Sequence, residues 1–136
     1  MDKKIIKLEN HSKAIGKYSP AIMISIKKND RMVFITGQVA TDSLGNIIGI
    51  GDAELQTEEV FKRIDSLLIK SGGSIKDLVS ITIFISNRKY FKAVSEVRNS
   101  WLNENPPAST MVVSELMEDG CIVEINGIAV FSGEKN

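Results

Sequence analysis

The segment TEEVFKRIDSLLIKSGGSIKDLVSITIFISN, residues 57–87, places a helical pattern directly before a strand pattern. From Asp52 to Lys70 apolar residues recur at intervals of three and four, acidic residues crowd the first turn, and Gly72-Gly73 follows. This spacing predicts an amphipathic helix over 52–70. Residues 78–86, LVSITIFIS, are rich in β-branched side chains and too short for an independent helix, so they predict a strand.

A second helix and two pairs of strands flank this unit. Apolar residues from Phe91 to Trp101 mark another helical face, which the prolines at 106–107 terminate. β-branched runs surround a polar turn at 28–31, and further runs surround the turn at 117–120, whose Gly120 is available for positive φ. Both patterns predict antiparallel hairpins. The predicted order is ββαβαββ, with one more short strand near residues 4–8.

Two helices can cover only one face of a sheet of four to six strands. In the strand at 78–86 both alternating sets of side chains contain apolar members, and one of them also carries Ser80 and Thr82. A second face of this mixed kind suits a subunit interface better than bulk water, because large exposed apolar patches are unusual in monomers. The sequence therefore predicts a closed homo-oligomer.

The composition is that of an ordinary globular protein. The chain has 136 residues with 43% hydrophobic and 25% charged residues and a formal net charge of zero, which predicts one domain over 1–136 and gives no support to nucleic-acid binding. The single cysteine, Cys121, has no internal disulfide partner, and the single histidine, His11, cannot complete a zinc site. No stretch approaches the roughly 20 apolar residues of a membrane span. We expect a cytoplasmic protein that binds no metal.

Four segments, considered together, carry a family resemblance: IGKYSPAI (15–22), ITGQVATDSLGNII (35–48), residues 57–87, and NPPASTMVV with VEINGIAV (105–113 and 123–130). In order and spacing they resemble the Rid family, also called YjgF or endoribonuclease L-PSP. The resemblance implies an α+β chorismate-mutase-like single domain, with a mixed sheet and two helices packed on one face. It also implies a homotrimer that binds small molecules in the clefts between its subunits, without a cofactor.

The best-known branch of the family hydrolyses reactive 2-imino and 2-enamino acids to 2-keto acids and ammonia. There an arginine in a Pro-Ala-Arg-Ser motif normally holds the substrate carboxylate, because a guanidinium fork matches its two oxygens. This chain reads Pro-Ala-Ser-Thr at 107–110, so a neutral serine, Ser109, stands at the arginine position and Thr110 follows it. Lys89 aligns with a residue that is usually asparagine, and Met111 with a small residue. The resemblance assigns these four residues to substrate binding, with Lys17 or Lys89 as the replacement cation.

Two further positions match the family's catalytic residues. Tyr18 aligns with its tyrosine, and Glu124 aligns with a glutamate that resembles a water-holding acid or base. The residues alone also single out Glu124, since it lies in a strand of Ile, Val, Ala and Gly where a carboxylate is costly unless it is paired. A structural glutamate that reaches the sheet edge or a lysine is the alternative. Tyr18 could equally be a half-buried aromatic with its hydroxyl in water.

Three functions follow from these observations. The first is an imine or enamine deaminase with altered substrate preference, and the second is a trimer that binds a small metabolite without turnover. The third is a ribonuclease, which would need a basic groove and a general acid–base pair, and zero net charge argues against it.

Cys121 has no neighbour in the sequence that would lower its pKa, so a buried, inert thiol is favoured over a nucleophile.

Overall fold

The computed structural model describes residues 2–10, 16–102 and 104–133. Within these ranges the strands are β1 (Asp2–Ile6), β2 (Ala21–Ser25), β3 (Asp30–Gln38), β4 (Leu78–Ile85), β5 (Ala108–Val113) and β6 (Val123–Ser132), and the helices are α1 (Ala53–Ser71) and α2 (Phe91–Trp101). The predicted first helix and the strand after it are confirmed to within one residue at each end. None of the described helices combines the length and apolar character that a membrane crossing requires.

Four strands form a mixed sheet in the order β3-β6-β4-β5. β6 runs antiparallel to both of its neighbours, whereas β4 and β5 are parallel. The parallel pair requires a crossover connection, which α2 supplies. β1 and β2 pair with each other in a separate antiparallel ribbon. The predicted α+β class with a mixed sheet is confirmed.

Both helices cover the same face of the sheet, as predicted. The side chains of β4 that point towards them alternate with those that do not, and Ile81, Ile83 and Ile85 are buried. Phe61 of α1 and Trp101 of α2 stack with ring centroids 6.0 Å apart, which fixes the two helices side by side. The remaining buried core residues of the helices and of the two central strands include Val60, Ile64, Leu68, Val94, Val123 and Ile125.

The first predicted hairpin, around residues 28–31, is wrong. The turn forms, because the amide of Asp30 donates to the Lys27 carbonyl at 3.1 Å, but β2 pairs with β1 instead of β3. The physical reason lies just before β2. The amide of Ser19 donates to the Pro107 carbonyl at 2.9 Å and its hydroxyl to the Pro106 carbonyl at 2.5 Å. These bonds hold the start of β2 beside β5, which is the opposite edge of the sheet from β3.

The second predicted hairpin, around residues 117–120, is also wrong. β5 and β6 are consecutive in sequence, yet β4 lies between them in the sheet. The burial of the two strands explains this order. β6 is nearly apolar and mostly buried, which suits a central strand, whereas Val112 and Val113 of β5 are exposed, as an edge strand allows. The predicted positive φ of Gly120 is confirmed at 83°.

A buried glutamine positions the chain as it enters β6. The side-chain amide of Gln56, on α1, donates to the carbonyls of Gly49 at 3.1 Å and Gly120 at 2.9 Å, and its oxygen accepts the amide of Ile122 at 2.8 Å. Gln56 is fully buried, so these bonds satisfy its polar atoms. They fix two loops and the start of β6 to α1, two residues before Glu124.

Candidate functional site

One face of the sheet carries no helix, and we call it the open face. Because paired residues of neighbouring strands point to the same side, the register places Phe84 beside Glu124 and Val112, and Thr82 beside Asn126 and Thr110. The side chains of the open face include Phe34, Ser80, Thr82, Phe84, Thr110, Val112, Glu124, Asn126 and Ile128. Phe34 is 71% exposed and Val112 is also exposed, so this face presents large apolar groups beside hydroxyls, an amide and a carboxylate.

Glu124 lies over a glycine. A Cβ atom built on Gly37 would lie 2.5 Å from Glu124 Oε2 and 2.8 Å from Cδ, so only a residue without a side chain leaves the carboxylate in its place. The β3–β6 register shifts between Ile35 and Gln38, which puts a bulge beside this contact. Such bulges commonly re-aim side chains next to active sites. Among the described residues, Glu124 has neither a hydrogen bond nor an ion pair, so its carboxylate is available to a water or a ligand.

Ser109 points away from the open face. It pairs with the buried Ile81, which places its side chain on the side covered by the helices. Its hydroxyl is buried and has no hydrogen-bond partner within the described part of the chain. Met111 follows on the same side and packs against the hydrophobic core. Thr110, between them, belongs to the open face with Glu124, and strand spacings put these two residues roughly 12 Å apart, two strands across and two positions along.

Tyr18 and Lys17 lie beside the C-terminal end of α2. The Tyr18 ring centroid is 5.7 Å from Cζ of Arg98, and the amide of Lys17 donates to Asn99 Oδ1 at 2.9 Å. Because Ser19 bonds to Pro106 and Pro107, the same segment reaches the start of β5, where Ser109 lies. The structure therefore brings Tyr18, Lys17 and the serine of the altered motif to one end of the sheet.

Lys89 and Glu124 lie at the other end. Lys89 is exposed in a one-turn helix just after β4, its amide donates to Asn87 Oδ1 at 2.9 Å, and its Nζ is 5.2 Å from the Tyr90 ring centroid. Glu124 pairs with Phe84, next to the last residue of β4. Within a single chain, the structure thus keeps the two predicted catalytic residues, Tyr18 and Glu124, apart.

Arg98 was not predicted. Only 4% of its surface is exposed, and its Nε donates to Asn99 Oδ1 at 3.3 Å. Burial lowers the pKa of the Arg98 guanidinium, an effect that Tyr18 partly offsets. A signal was present in the sequence, since Arg98 follows Phe91 by seven residues and Val94 by four, so it occupies the apolar stripe of α2.

The remaining candidates are simpler. Cys121 is free and buried, its thiol contacts the Val123 carbonyl at 3.3 Å, and burial raises its pKa, in agreement with an inert thiol. His11 lies outside the described residues. Across the described ranges 2–10, 16–102 and 104–133, no three His, Cys, Asp or Glu side chains are grouped so as to hold a metal ion.

The fold and the site define a small α+β domain with one sheet face left open, and comparison with known proteins identifies its family. The family model for Endoribonuclease L-PSP matches residues 8–131. The chain belongs to this family, also known as the Rid or YjgF family.

Relatives of known sequence agree with this assignment. A RutC family protein from Pyrococcus horikoshii is 34% identical over 128 residues, which cover 93% of this chain and 97% of the relative. The protein named 3-aminoacrylate deaminase RutC from Acinetobacter baylyi is 30% identical over 129 residues, with 95% and 98% covered.

Solved structures share the fold. The Rid-family protein YyfB from Yersinia pestis superposes with a TM-score of 0.82 at 21% identity, over 96% of this chain and 100% of the other. RidA from the Antarctic bacterium Psychrobacter superposes with a TM-score of 0.67 at 28% identity, over 94% and 99%. The chorismate-mutase-like architecture expected from the sequence is thereby confirmed.

Proposed function

We propose that this protein is a deaminase that hydrolyses reactive imines or enamines to a carbonyl compound and ammonia. The observation that carries the proposal is the carboxylate of Glu124, held over Gly37 on the open face without a partner among the described residues. The family membership supports it, since one relative bears the name of a 3-aminoacrylate deaminase.

The reaction requires little from the protein. Water attacks the imine carbon while the Glu124 carboxylate accepts a proton from it, and that proton passes to the nitrogen. In the second half of the reaction the carboxylate takes the hydroxyl proton and delivers it to the amine nitrogen, so the carbon–nitrogen bond breaks as the carbonyl forms and ammonia leaves. A carboxylate placed in this way acts as a general base and then as a general acid.

We propose a homotrimer in which the open faces meet and the ligand binds in clefts between subunits. Large apolar side chains such as Phe34 are exposed on that face, which favours coverage by a second copy. A cleft between subunits would also bring the Tyr18 end of one chain to the Glu124 end of another. In that arrangement Tyr18 assists Glu124, while Ser109, Thr110, Met111, Lys17 and Lys89 contribute to substrate binding.

The site of action that we propose is the cytoplasm, where the single, free Cys121 stays reduced.

A trimer that binds a metabolite without turnover is the second candidate function, and a specific observation favours it. Ser109, at the family's arginine position, carries no charge, and its hydroxyl is buried on the covered side of the sheet. A site without that cation would bind the usual carboxylate weakly.

The test generates 2-iminopropanoate with an amino-acid oxidase and lets the protein compete with semicarbazide for it. We expect the wild-type chain to hydrolyse the imine and so to lower the semicarbazone signal. In Glu124→Gln the rate of hydrolysis should be at least a hundredfold lower, while the melting temperature stays unchanged. Glu115→Gln, an exposed glutamate outside the sheet, is the matched control and should keep full activity.

An active Glu124→Gln chain would contradict the assignment of the base. A wild-type chain without effect on the trap, tested with imines both with and without a carboxylate, would contradict the deaminase and favour the metabolite-binding trimer.

A further inference from the structure

We infer that Arg98 is the cation that binds the carboxylate of the ligand, in place of the arginine that Ser109 replaces. Arg98 is 96% buried, and among the described residues its guanidinium has no carboxylate within 4.0 Å. Its hydrogen bond to Asn99 uses Nε, and no described residue accepts from Nη1 or Nη2. A buried charge normally has a counter-ion, because removal from water is otherwise unfavourable. Among the described residues the two terminal nitrogens therefore have no acceptor, and they are suited to bind an anion.

The topology places Ser109 and Arg98 at the same end of the covered side of the sheet. α2 crosses from β4 to the parallel β5, so it runs antiparallel to both strands over their covered side. Its last turn, which contains Arg98, consequently lies above the start of β5, where Ser109 is the second residue. Tyr18 links the two, since its ring lies over Arg98 and the next residue bonds to Pro106 and Pro107.

Two buried hydroxyls, one on α2 and one on β5, also lack partners among the described residues. These are Ser109 Oγ and Ser95 Oγ, and they are the buried side-chain polar atoms of the described chain that have no hydrogen bond. Ser95 precedes Arg98 by three residues on α2 and so lies on the same side of the helix. Buried hydroxyls are ordinarily satisfied. A cation with two free donor nitrogens and two unused hydroxyls match the oxygens of a small carboxylate.

A purely structural role for Arg98 is the competing explanation. The guanidinium lies in the last turn of α2, where the helix dipole favours a cation, and the Tyr18 ring adds a cation–π contact. Gly16 also packs closely, since a Cβ there would collide with Arg98 Nη2. Only glycine at position 16 therefore leaves the guanidinium in its place. The two explanations differ in what they predict for stability and for binding.

The ligand class that fits is a small planar 2-oxo or 2-imino acid, and this choice of class rests on the proposed function. The probe is pyruvate, which is stable and carries both a carboxylate and a planar carbonyl. Methyl pyruvate is the neutral comparison. Binding is measured by ligand-observed NMR and by titration calorimetry with the full chain, so no turnover is needed.

We expect pyruvate to bind the wild-type chain and Arg98→Met to bind it ten- to a hundredfold more weakly, because two charge-assisted hydrogen bonds are lost. Arg98→Lys should lose an intermediate amount, since lysine keeps the charge without the fork. Methyl pyruvate should bind weakly to all variants. Arg31→Met, which removes an exposed arginine of β3, is the control and should bind pyruvate like the wild type.

Stability separates the two explanations. When a buried charge without a counter-ion is replaced by a side chain of similar length, the melting temperature should stay the same or rise. A large fall in melting temperature with unchanged pyruvate affinity would assign Arg98 a structural role and overturn the inference, as would a wild-type chain that binds neither compound. The proposed function fails separately: pyruvate binding through Arg98 without competition for the imine would refute the deaminase alone.

Discussion

Replacing Gly37 with alanine tests the proposed catalytic role of the Glu124 carboxylate without substituting Glu124 itself. The new Cβ would lie 2.5 Å from Glu124 Oε2, whereas ordinary contacts begin at 3.4 Å, so the carboxylate must retreat by about 0.9 Å. Gly37 has no positive φ, so alanine fits the backbone, and the atom in the way is the end of a flexible side chain. Stability should therefore be unchanged or rise by about 0.5 kcal/mol.

Activity should fall much further than stability. A displacement of about 1 Å of a positioned group is enough for roughly a hundredfold loss of rate, or about 2.7 kcal/mol in the barrier. The semicarbazide competition assay measures the rate, and thermal unfolding checks the fold. In a double-mutant cycle, Gly37→Ala should have no further effect once Glu124→Gln is present, since both changes act on the same carboxylate. A fully active Gly37→Ala chain, or an additive cycle, would refute the reasoning.

Three further predictions concern assembly and stability. Phe34→Glu puts a charge at the most exposed aromatic of the open face, so the mass measured by light scattering should fall from that of three 15.0 kDa chains to that of a single chain. A wild-type monomer at micromolar concentration would contradict the trimer. Gln56→Leu leaves the Gly120 carbonyl and the Ile122 amide without their partner, whereas the Gly49 carbonyl keeps the amide of Asp52, and it should lower the unfolding free energy in urea by about 2–5 kcal/mol; a loss below 1 kcal/mol would show that these two groups find water. Burial raises the pKa of the Cys121 thiol above its ordinary 9.0, so above about pH 9 the folded chain keeps a proton that the unfolded chain loses. The free energy of unfolding should therefore fall as the pH rises above about 9. In Cys121→Ala it should fall less steeply over the same pH range.

The sequence by itself determined the elements and the family. The apolar spacing in 52–70 and the β-branched run in 78–86 are local properties of the chain, and they gave α1 and β4 to within a residue. The order of the elements also predicted that both helices cover one face of the sheet and that the other face stays open. Glu124 could be singled out as a candidate because a carboxylate in an apolar strand is conspicuous without any knowledge of its surroundings.

The tertiary structure alone decided which strands pair and which residues meet. Both hairpins were predicted from proximity in sequence, but Ser19 ties the start of β2 to Pro106 and Pro107, and the crossover through α2 makes β4 and β5 parallel partners. Register then separated Ser109 from Thr110, because neighbouring residues of a strand face opposite sides of the sheet. The buried guanidinium of Arg98 beneath Tyr18 joins residues 80 positions apart, and contacts of that range depend on the whole fold.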